Sequence, residues 1–171
     1  MRYIGSMFDV LVFVYENYYA GDSYPEPAHL KRKLNAVGFE ADEIGEAVDW
    51  LHGLNIAARG SHGFAGTAQK LAPEPWLREP QSTSTRVYSV FEQRQLGPQC
   101  WGYLSFLESA GVLTPPMREV IIDRTLAAPG GSIGIDDLKT IVLMVFWSFG
   151  LEPSELVLDE LCDDNQDRLA H

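Results

Sequence analysis

The sequence predicts an all-α protein in which two small helical groups, an N-terminal helix–turn–helix-like unit and a C-terminal helical bundle, are joined by a long loop. Apolar residues recur at helical spacing in both halves of the chain, and glycine and proline separate these segments. We therefore expect the N-terminal unit at residues 7–54, the loop or linker at 55–85 and the C-terminal unit at 86–162, with residues 1–6 and 163–171 flexible. The pattern leaves room for a short β-hairpin.

Three helices are predicted in the N-terminal unit. An apolar face at helical spacing marks the first, Phe8–Tyr19, and Pro27 at an N1 position starts the second. Gly38 stands where a left-handed C-cap is expected, so the second helix should end there. The third helix is predicted from about Ala41 to Leu54, and acidic residues in its first turns suit the positive end of the helix dipole.

Residues 55–85 are rich in glycine, proline and serine, a composition typical of a loop or linker. The glycines Gly60, Gly63 and Gly66 lack the Lys-Ser/Thr pair of a phosphate-binding loop, so they indicate loop flexibility. Trp76 lies among prolines in this segment, and an exposed tryptophan can anchor an interface. Trp76 is therefore a candidate partner-binding residue.

The C-terminal unit carries several helix start and stop signals. Ser89 and Glu92 have the spacing of a capping box, and Gly97-Pro98 separates the helix that they start from the next one. Thr114-Pro115 is a cap followed by an N1 proline. Helices are expected at Val90–Leu96, Gln99–Ala110, Pro115–Ala128, Ile135–Phe149 and Glu155–Cys162.

The net charge of −11 disfavours several classes of protein. Nucleic-acid affinity comes largely from Lys and Arg that release counterions, so direct nucleic-acid binding is disfavoured, and the same sign disfavours anionic membranes. The longest apolar run, Ile141–Trp147, is far shorter than the ~20 residues of a membrane span. Because there is no secretory signal and there are only two cysteines, Cys100 and Cys162, we expect a cytoplasmic protein with reduced thiols.

No catalytic, metal-binding or cofactor-binding residue is predicted. Acidic residues are abundant, but they stand at helix starts and on solvated faces rather than in a pattern typical of general acid–base catalysis. The histidines His52 and His62 and the two cysteines lack the paired spacing of a zinc site. Cys100 lies near a helix N-terminus, which can lower a thiol pKa, yet a buried structural thiol is the better interpretation. We expect no enzymatic activity.

Several features favour a protein partner, and a homo-oligomer also fits them. The only basic cluster falls on the second helix of an otherwise acidic chain, whose charge could steer a basic partner. The helix at 135–149 is apolar nearly all round, which is typical of a helix central in a core or lying in an interface. The candidate partner-binding residues are Lys31, Arg32, Lys33, Trp76, Leu143, Met144 and Trp147.

Several short motifs are spread along most of the chain: Met7–Leu11, Gly38-Phe39 with Trp50-Leu51, Arg86–Tyr88 with Glu92, Cys100–Glu108, Arg118–Arg124, and Asp137–Lys139 with Val142–Val145. Together these motifs resemble the bacterial Smg protein family. The resemblance covers Met7 to about Phe149, whereas Gly60–Gly66 and the tail after Gly150 depart from it. The resemblance brings no established activity, cofactor or catalytic residue. It does imply a gene that lies near genes for DNA processing or protein maturation, which is an association and not a mechanism.

Two functions from different classes follow from these features. The preferred hypothesis is a non-enzymatic protein-interaction module in the bacterial cytoplasm. The alternative is a winged-helix-like nucleic-acid-associated protein involved in DNA processing or gene expression, based on the helix pair at 27–54 with its Lys31-Arg32-Lys33 cluster. The helix that would enter a DNA groove is acidic, which argues against direct DNA readout. An enzyme of unrecognised type is a third hypothesis.

Overall fold

The computed structural model describes residues 6–18, 26–66 and 85–155, together with 157 and 159. These residues form six α-helices and no strand, so the predicted all-α class is confirmed and the described part contains no β-hairpin. The helices are α1 (Met7–Tyr18), α2 (Pro27–Val37), α3 (Ala41–Gly66), α4 (Val90–Ser109), α5 (Pro115–Leu126) and α6 (Ile135–Ser148). In this part of the chain, no helix combines the length and the apolar character needed to cross a bilayer.

Several predictions fall partly or wholly outside the described residues. Trp76 lies there, as do residues 1–5 and 163–171, which we expected to be flexible. Most of the predicted helix Glu155–Cys162 lies there too. Ser6 is described, and its backbone N–H donates to Asp9 Oδ2 at 2.7 Å, so it belongs to the start of α1.

A local capping signal sets the end of α2 where the sequence predicted it. Gly38 adopts φ 112°, the left-handed region, and its N–H donates to the carbonyls of Leu34 and Asn35. Phe39 then packs back on α1, with its ring 5.8 Å from that of Phe13 in an edge-on arrangement. These contacts fix the turn between α2 and α3.

The third helix is longer than its sequence predicted. We expected it to end at Leu54 and a loop to start at residue 55, but α3 continues to Gly66, so the loop prediction is wrong for residues 55–66. Glycine costs a helix about 1 kcal/mol relative to alanine without breaking it, and Ala58 on this extension is buried in the core. Residues 67–84, the rest of the predicted loop, lie outside the described part.

Helix α4 contains the break that the sequence predicted at Gly97-Pro98. Gly97 has φ 68° and ψ 168°, a conformation that is not helical and that favours glycine, and Pro98 follows it. The two helices expected on either side therefore form one element with a kink.

The two helical groups share one hydrophobic core. Helix α1 packs on α3 and α6, and α3 also packs on α5, so contacts cross between the halves. Helix α6 is central, because every residue from Leu138 to Phe146 is buried. Helix α2 is peripheral, since only Leu30 and Leu34 on it are buried and it packs mainly on α3.

A reciprocal pair of hydrogen bonds joins α3 to α5. Trp50 Nε1 donates to the Arg124 carbonyl at 3.0 Å, and Arg124 Nη1 donates to the Trp50 carbonyl at 3.3 Å. The Arg124 guanidinium occupies the space where a Cβ at Gly53 would stand. Glycine at position 53 therefore allows the guanidinium to lie between the two helices.

Candidate functional site

The basic cluster is exposed, as a partner-binding role requires. Lys31, Arg32 and Lys33 all lie on the solvent side of α2. Lys33 Nζ stands 4.8 Å from the centroid of the Tyr18 ring, a cation–π contact with α1. The roles of these residues in binding stay predictions.

The α6 candidates are placed differently. Leu143 and Met144 are 4% and 0% exposed, so their prediction as partner-binding residues is wrong for this fold. An apolar helix fits either a core or an interface, and here α1, α3, α4 and α5 surround α6 and bury it. Trp147 is half-buried and packs edge-on against Tyr15 at 6.4 Å between ring centroids.

A different apolar surface lies where the chain enters α4. Val87 is 85% exposed, and Val90 and Phe91 are each 64% exposed. We call Val87, Val90 and Phe91 the α4 N-terminal surface. The sequence analysis did not identify this surface, although the sequence contains a sign of it. The residues four positions after Val90 and Phe91 are Arg94 and Gln95, so neither apolar side chain continues the apolar stripe of a buried helix face.

Ion pairs hold the segment that carries this surface. Arg86 Nη2 lies 2.8 Å from Glu92 Oε1 on α4, and Arg86 Nε lies 2.9 Å from Glu119 Oε1 on α5. Second contacts to each carboxylate, Nη1 to Glu92 Oε2 at 3.1 Å and Nη2 to Glu119 Oε2 at 2.9 Å, make both pairs bidentate. Bidentate guanidinium–carboxylate pairs fix geometry as well as adding attraction.

The same network extends along α5 to the end of α4. Arg118 Nη2 lies 3.0 Å from Glu119 Oε1, and Arg118 also pairs with Glu108. We call Arg86, Glu92, Glu108, Arg118 and Glu119 the Arg86 cluster. It alternates acid and base, so each charge has an opposite neighbour.

These pairs change the protonation of the carboxylates. The hydrogen bond from Arg86 is the main cause that lowers the pKa of Glu92 to about 2, against its ordinary 4.5. Burial works against ionisation of Glu119, but hydrogen bonds from Arg86 and Arg118 outweigh it, and the pKa of that carboxyl is lowered. Both groups are therefore ionised at neutral pH and are poor proton donors there.

Tyr88 completes the fixation of the segment. The Arg86 guanidinium lies 4.3 Å from the Tyr88 ring centroid, and the other contact of this ring is Trp101, at an interplanar angle of 77°. Gln93 Nε2 donates to the Tyr88 carbonyl at 3.0 Å. Burial raises the pKa of the Tyr88 hydroxyl. The backbone on both sides of Val87 is thus held while its own side chain points into solvent.

The helix start adds a further constraint. Ser89 and Glu92 form the predicted capping box: the Glu92 N–H donates to Ser89 Oγ at 3.2 Å, and the Ser89 N–H donates to Glu92 Oε2 at 2.7 Å. Glu92 therefore serves both the cap and the pair with Arg86. The backbone of the α4 N-terminal surface is held in place because the Glu92 carboxylate takes part in both the capping box and the ion pair with Arg86.

Cys100 does not form a reactive centre. It is buried, and its Sγ donates to the Ile133 carbonyl at 3.4 Å. Burial first, and then the nearby charges of Asp137 and Asp136, raise the pKa of this thiol to about 11, so it is protonated at neutral pH and a weak nucleophile. Among the residues that the structure describes, no group of three or more His, Cys, Asp or Glu side chains is placed to hold a metal ion.

The fold and this site define a class: a small all-α protein whose distinctive feature is an apolar surface fixed by ion pairs. A family model described as "Protein of unknown function (DUF494)" matches residues 7–171. The Protein Smg homolog of Methylibium petroleiphilum is 51% identical over 165 residues, which cover 96% of this chain and 100% of the relative. That of Leptothrix cholodnii is 52% identical over 165 residues with the same coverage.

A more distant relative extends this comparison. The Protein Smg homolog of Aromatoleum aromaticum is 43% identical over 164 residues, which cover 96% of this chain and 97% of the relative. No solved structure matches the chain. The chain belongs to the bacterial Smg family, a family of unknown function, and the resemblance deduced from the sequence is confirmed.

Proposed function

We propose that this protein is a non-enzymatic protein-interaction module of the bacterial cytoplasm and that its partner docks on the α4 N-terminal surface. One observation carries the proposal: three apolar side chains, Val87, Val90 and Phe91, are largely exposed within five residues of chain. Single exposed apolar residues are common, but neighbouring ones on a fixed backbone mark docking sites. Phe91 is the natural anchor, because aromatic side chains contribute strongly to interfaces.

The fixed backbone of the α4 N-terminal surface supports the same proposal. Binding costs conformational entropy when a surface must be ordered first, and a surface that is ordered beforehand avoids this cost. Arg86, Glu92 and Ser89 hold the segment through ion pairs and the capping box without covering its apolar side chains. A docking function accounts for this arrangement because the charges fix the segment while the apolar groups remain exposed.

A matched pair of substitutions tests the proposal. Val90 and Phe91 lie in the first turn of α4, where an acidic residue suits the helix dipole, so Phe91→Asp should leave the fold intact. Phe106→Asp is the control, because Phe106 is also exposed on α4 but lies outside the surface. The tagged chain, cross-linked in cells, is expected to retain a stoichiometric protein partner that Phe91→Asp loses and Phe106→Asp keeps. Equal capture by Phe91→Asp and the wild type would contradict the proposal.

The nucleic-acid alternative has one observation in its favour. Lys31, Arg32 and Lys33 are exposed on α2 and could contact phosphates. Against it, Asp42 and Asp49 are exposed on the adjoining α3 and would repel the same phosphates. A filter-binding assay at about 50 mM salt, where electrostatic binding is strongest, separates the two functions. Retention of DNA or RNA that disappears in Arg32→Glu would favour the alternative.

A further inference from the structure

A positive charge borders the α4 N-terminal surface. Arg94 lies three residues after Phe91 and four after Val90 on the same helix, and residues at these spacings are neighbours on one helix face. The helix is regular until Gly97, so its geometry places the Arg94 side chain one turn beyond both apolar side chains. Arg94 is exposed, as they are.

The carboxylates that hold this segment are already paired. Glu92 and Glu119 each accept two hydrogen bonds from the Arg86 guanidinium, and the side chain of Glu92 is only 14% exposed. Pairing weakens the repulsion that these acids exert on another anion. Arg94 takes part in none of the ion pairs of the described residues, so its charge is not offset in this way.

The sequence around Arg94 differs in charge from the rest of the chain. The chain carries 24 acidic and 13 basic residues, yet residues 93–107 contain no Asp or Glu. An acidic ligand is repelled by the chain as a whole and needs a place where a basic side chain prevails. Salt screens the distant charges beyond about 8 Å at physiological ionic strength, so the charges at the contact decide which ligand fits.

We propose that the α4 N-terminal surface binds an acidic peptide segment of a protein partner. Apolar side chains of that segment cover Val90 and Phe91, and one of its carboxylates pairs with Arg94. The inference rests on the proposed function, because it names the chemistry of the partner that docks on the same surface. A basic segment would place a like charge against Arg94, which costs affinity, whereas a guanidinium suits a carboxylate in both charge and shape.

A nucleic acid or an anionic membrane fits this surface less well. Their attraction to proteins grows with the number of basic side chains that face them, and here Arg94 is the one base beside the apolar side chains that is not already paired with a carboxylate among the described residues. The net charge of −11 repels both. A peptide segment needs only one carboxylate at Arg94, because its apolar side chains supply the rest of the contact.

Selection from a phage-displayed library of random peptides tests the chemistry of the partner. The full-length chain serves as bait in three forms: the wild type, Arg94→Glu and Phe91→Asp. The wild type is expected to enrich peptides that combine apolar residues with Asp or Glu. Arg94→Glu is expected to enrich peptides with Lys or Arg instead, and Phe91→Asp is expected to enrich neither kind because the apolar anchor is lost.

Fluorescence anisotropy of the most enriched acidic peptide measures the size of the effect. Arg94→Glu is expected to bind this peptide about tenfold more weakly than the wild type, with Arg94→Ala in between. Arg32→Glu is the matched control, because it makes the same change of charge on α2, outside the surface, and should stay within about twofold of the wild type. The affinity of the wild type should also fall as salt rises, and that of Arg94→Ala should depend less on salt.

The variants separate a loss of binding from a loss of fold. Glutamate forms helices well, so Arg94→Glu should keep the helix content of the wild type, which circular dichroism measures. Its gain of basic peptides is a result that an unfolded chain cannot give. If Arg94→Glu and Arg32→Glu weaken the acidic peptide alike, net charge explains the effect and the contact with Arg94 is rejected.

The remaining outcomes distinguish this inference from the docking function on which it rests. Peptides that are lost with Phe91→Asp but are rich in Lys or Arg, or that Arg94→Glu enriches equally, would reject an acidic partner and leave docking on the surface intact. Peptides that Phe91→Asp and the wild type enrich equally, or no enrichment at all, would contradict both. Binding of the wild type to vesicles containing phosphatidylserine, lost in Arg94→Glu and Phe91→Asp, would assign the surface to a membrane instead.

Discussion

Two regions of the molecule, the start of α4 and the corner formed by α2, α3 and the turn between them, contrast in their side chains. In one region the charges are paired and the apolar side chains are exposed, and in the other the apolar side chains are buried and the charges are exposed. At the start of α4, Arg86 and its carboxylate partners are paired, while Val87 and Phe91 are exposed. At the corner, the leucines of α2 are buried and the charges, such as Arg32, are exposed without an ion pair in the described chain. Paired charges fix a backbone, whereas unpaired ones remain available to a partner. Whether a charged side chain is paired therefore indicates its role better than its position in the fold does.

Leu34→Ala should produce the largest effect, because α2 is held mainly by apolar burial. Leu34 is fully buried and, with Leu30, supplies the buried side chains of that helix. Loss of a buried leucine side chain is expected to lower the free energy of unfolding by about 3 kcal/mol, from lost apolar transfer and the cavity left behind. Urea unfolding measures the loss, and hydrogen exchange should speed up at α2 amides while α4 amides stay protected. An equal rise in amide exchange in α2 and α4 would contradict the expectation that Leu34 stabilises α2 in particular.

Arg86→Ala tests the other region, where charges hold the segment. The substitution leaves the carboxylates of Glu92 and Glu119 without their bidentate partner, and we expect a loss of about 2 kcal/mol in the free energy of unfolding. Water still reaches the Arg86 side chain, which limits the effect. Arg32→Ala is the matched control on α2 and is expected to change stability by less than about 0.5 kcal/mol. Similar losses in both variants would remove the distinction between paired and unpaired charges.

Ser89→Ala should have a smaller effect, since it removes only the side-chain cap of α4. Loss of an N-cap hydroxyl costs about 1 kcal/mol, and Asp is an equally good cap residue. Thermal or urea unfolding of Ser89→Ala and Ser89→Asp should therefore show a loss for the first and little change for the second. If Ser89→Asp is as unstable as Ser89→Ala, the capping geometry is not what stabilises this helix start.

A dependence of stability on pH is expected only in acid. The pKa of Glu92 is about 2 in the folded chain and near 4.5 in the unfolded one, so its contribution is fully present above about pH 4.5 and is lost as pH falls towards 2. In Arg86→Ala the hydrogen bond that lowers this pKa is absent, so stability should depend less steeply on pH in that window. Unfolding curves recorded between pH 2 and 5, with Arg32→Ala as the control, measure the difference in slope.

Signals that are local in sequence predicted much of the fold. The all-α class, the end of α2 at Gly38, the capping box at Ser89 and the kink at Gly97 each depend on residues within one turn of one another. The extension of α3 was missed because its glycines resemble those of a loop, and the sequence does not show the burial of Ala58, which favours the helix.

The candidate site was harder to predict. The pair between Arg86 and Glu119 joins residues 33 positions apart, and no periodic pattern marks such a contact. Leu143 and Met144 were misplaced for the opposite reason: their pattern was visible, but an apolar helix has the same pattern in a core and in an interface. Pairing and burial of this kind are set by the whole fold.

The joint between α3 and α5 has a consequence for protein engineering. A design procedure that ranks substitutions by helix propensity would replace Gly53 by alanine first, because the position lies inside a helix. The added methyl group would displace the Arg124 guanidinium and remove its hydrogen bond to the Trp50 carbonyl, so the gain in propensity is offset at the joint. A thermostabilised version of this chain should keep its glycine at position 53 and take its alanines at Gly45 or Gly60, where a methyl group meets nothing within 4 Å.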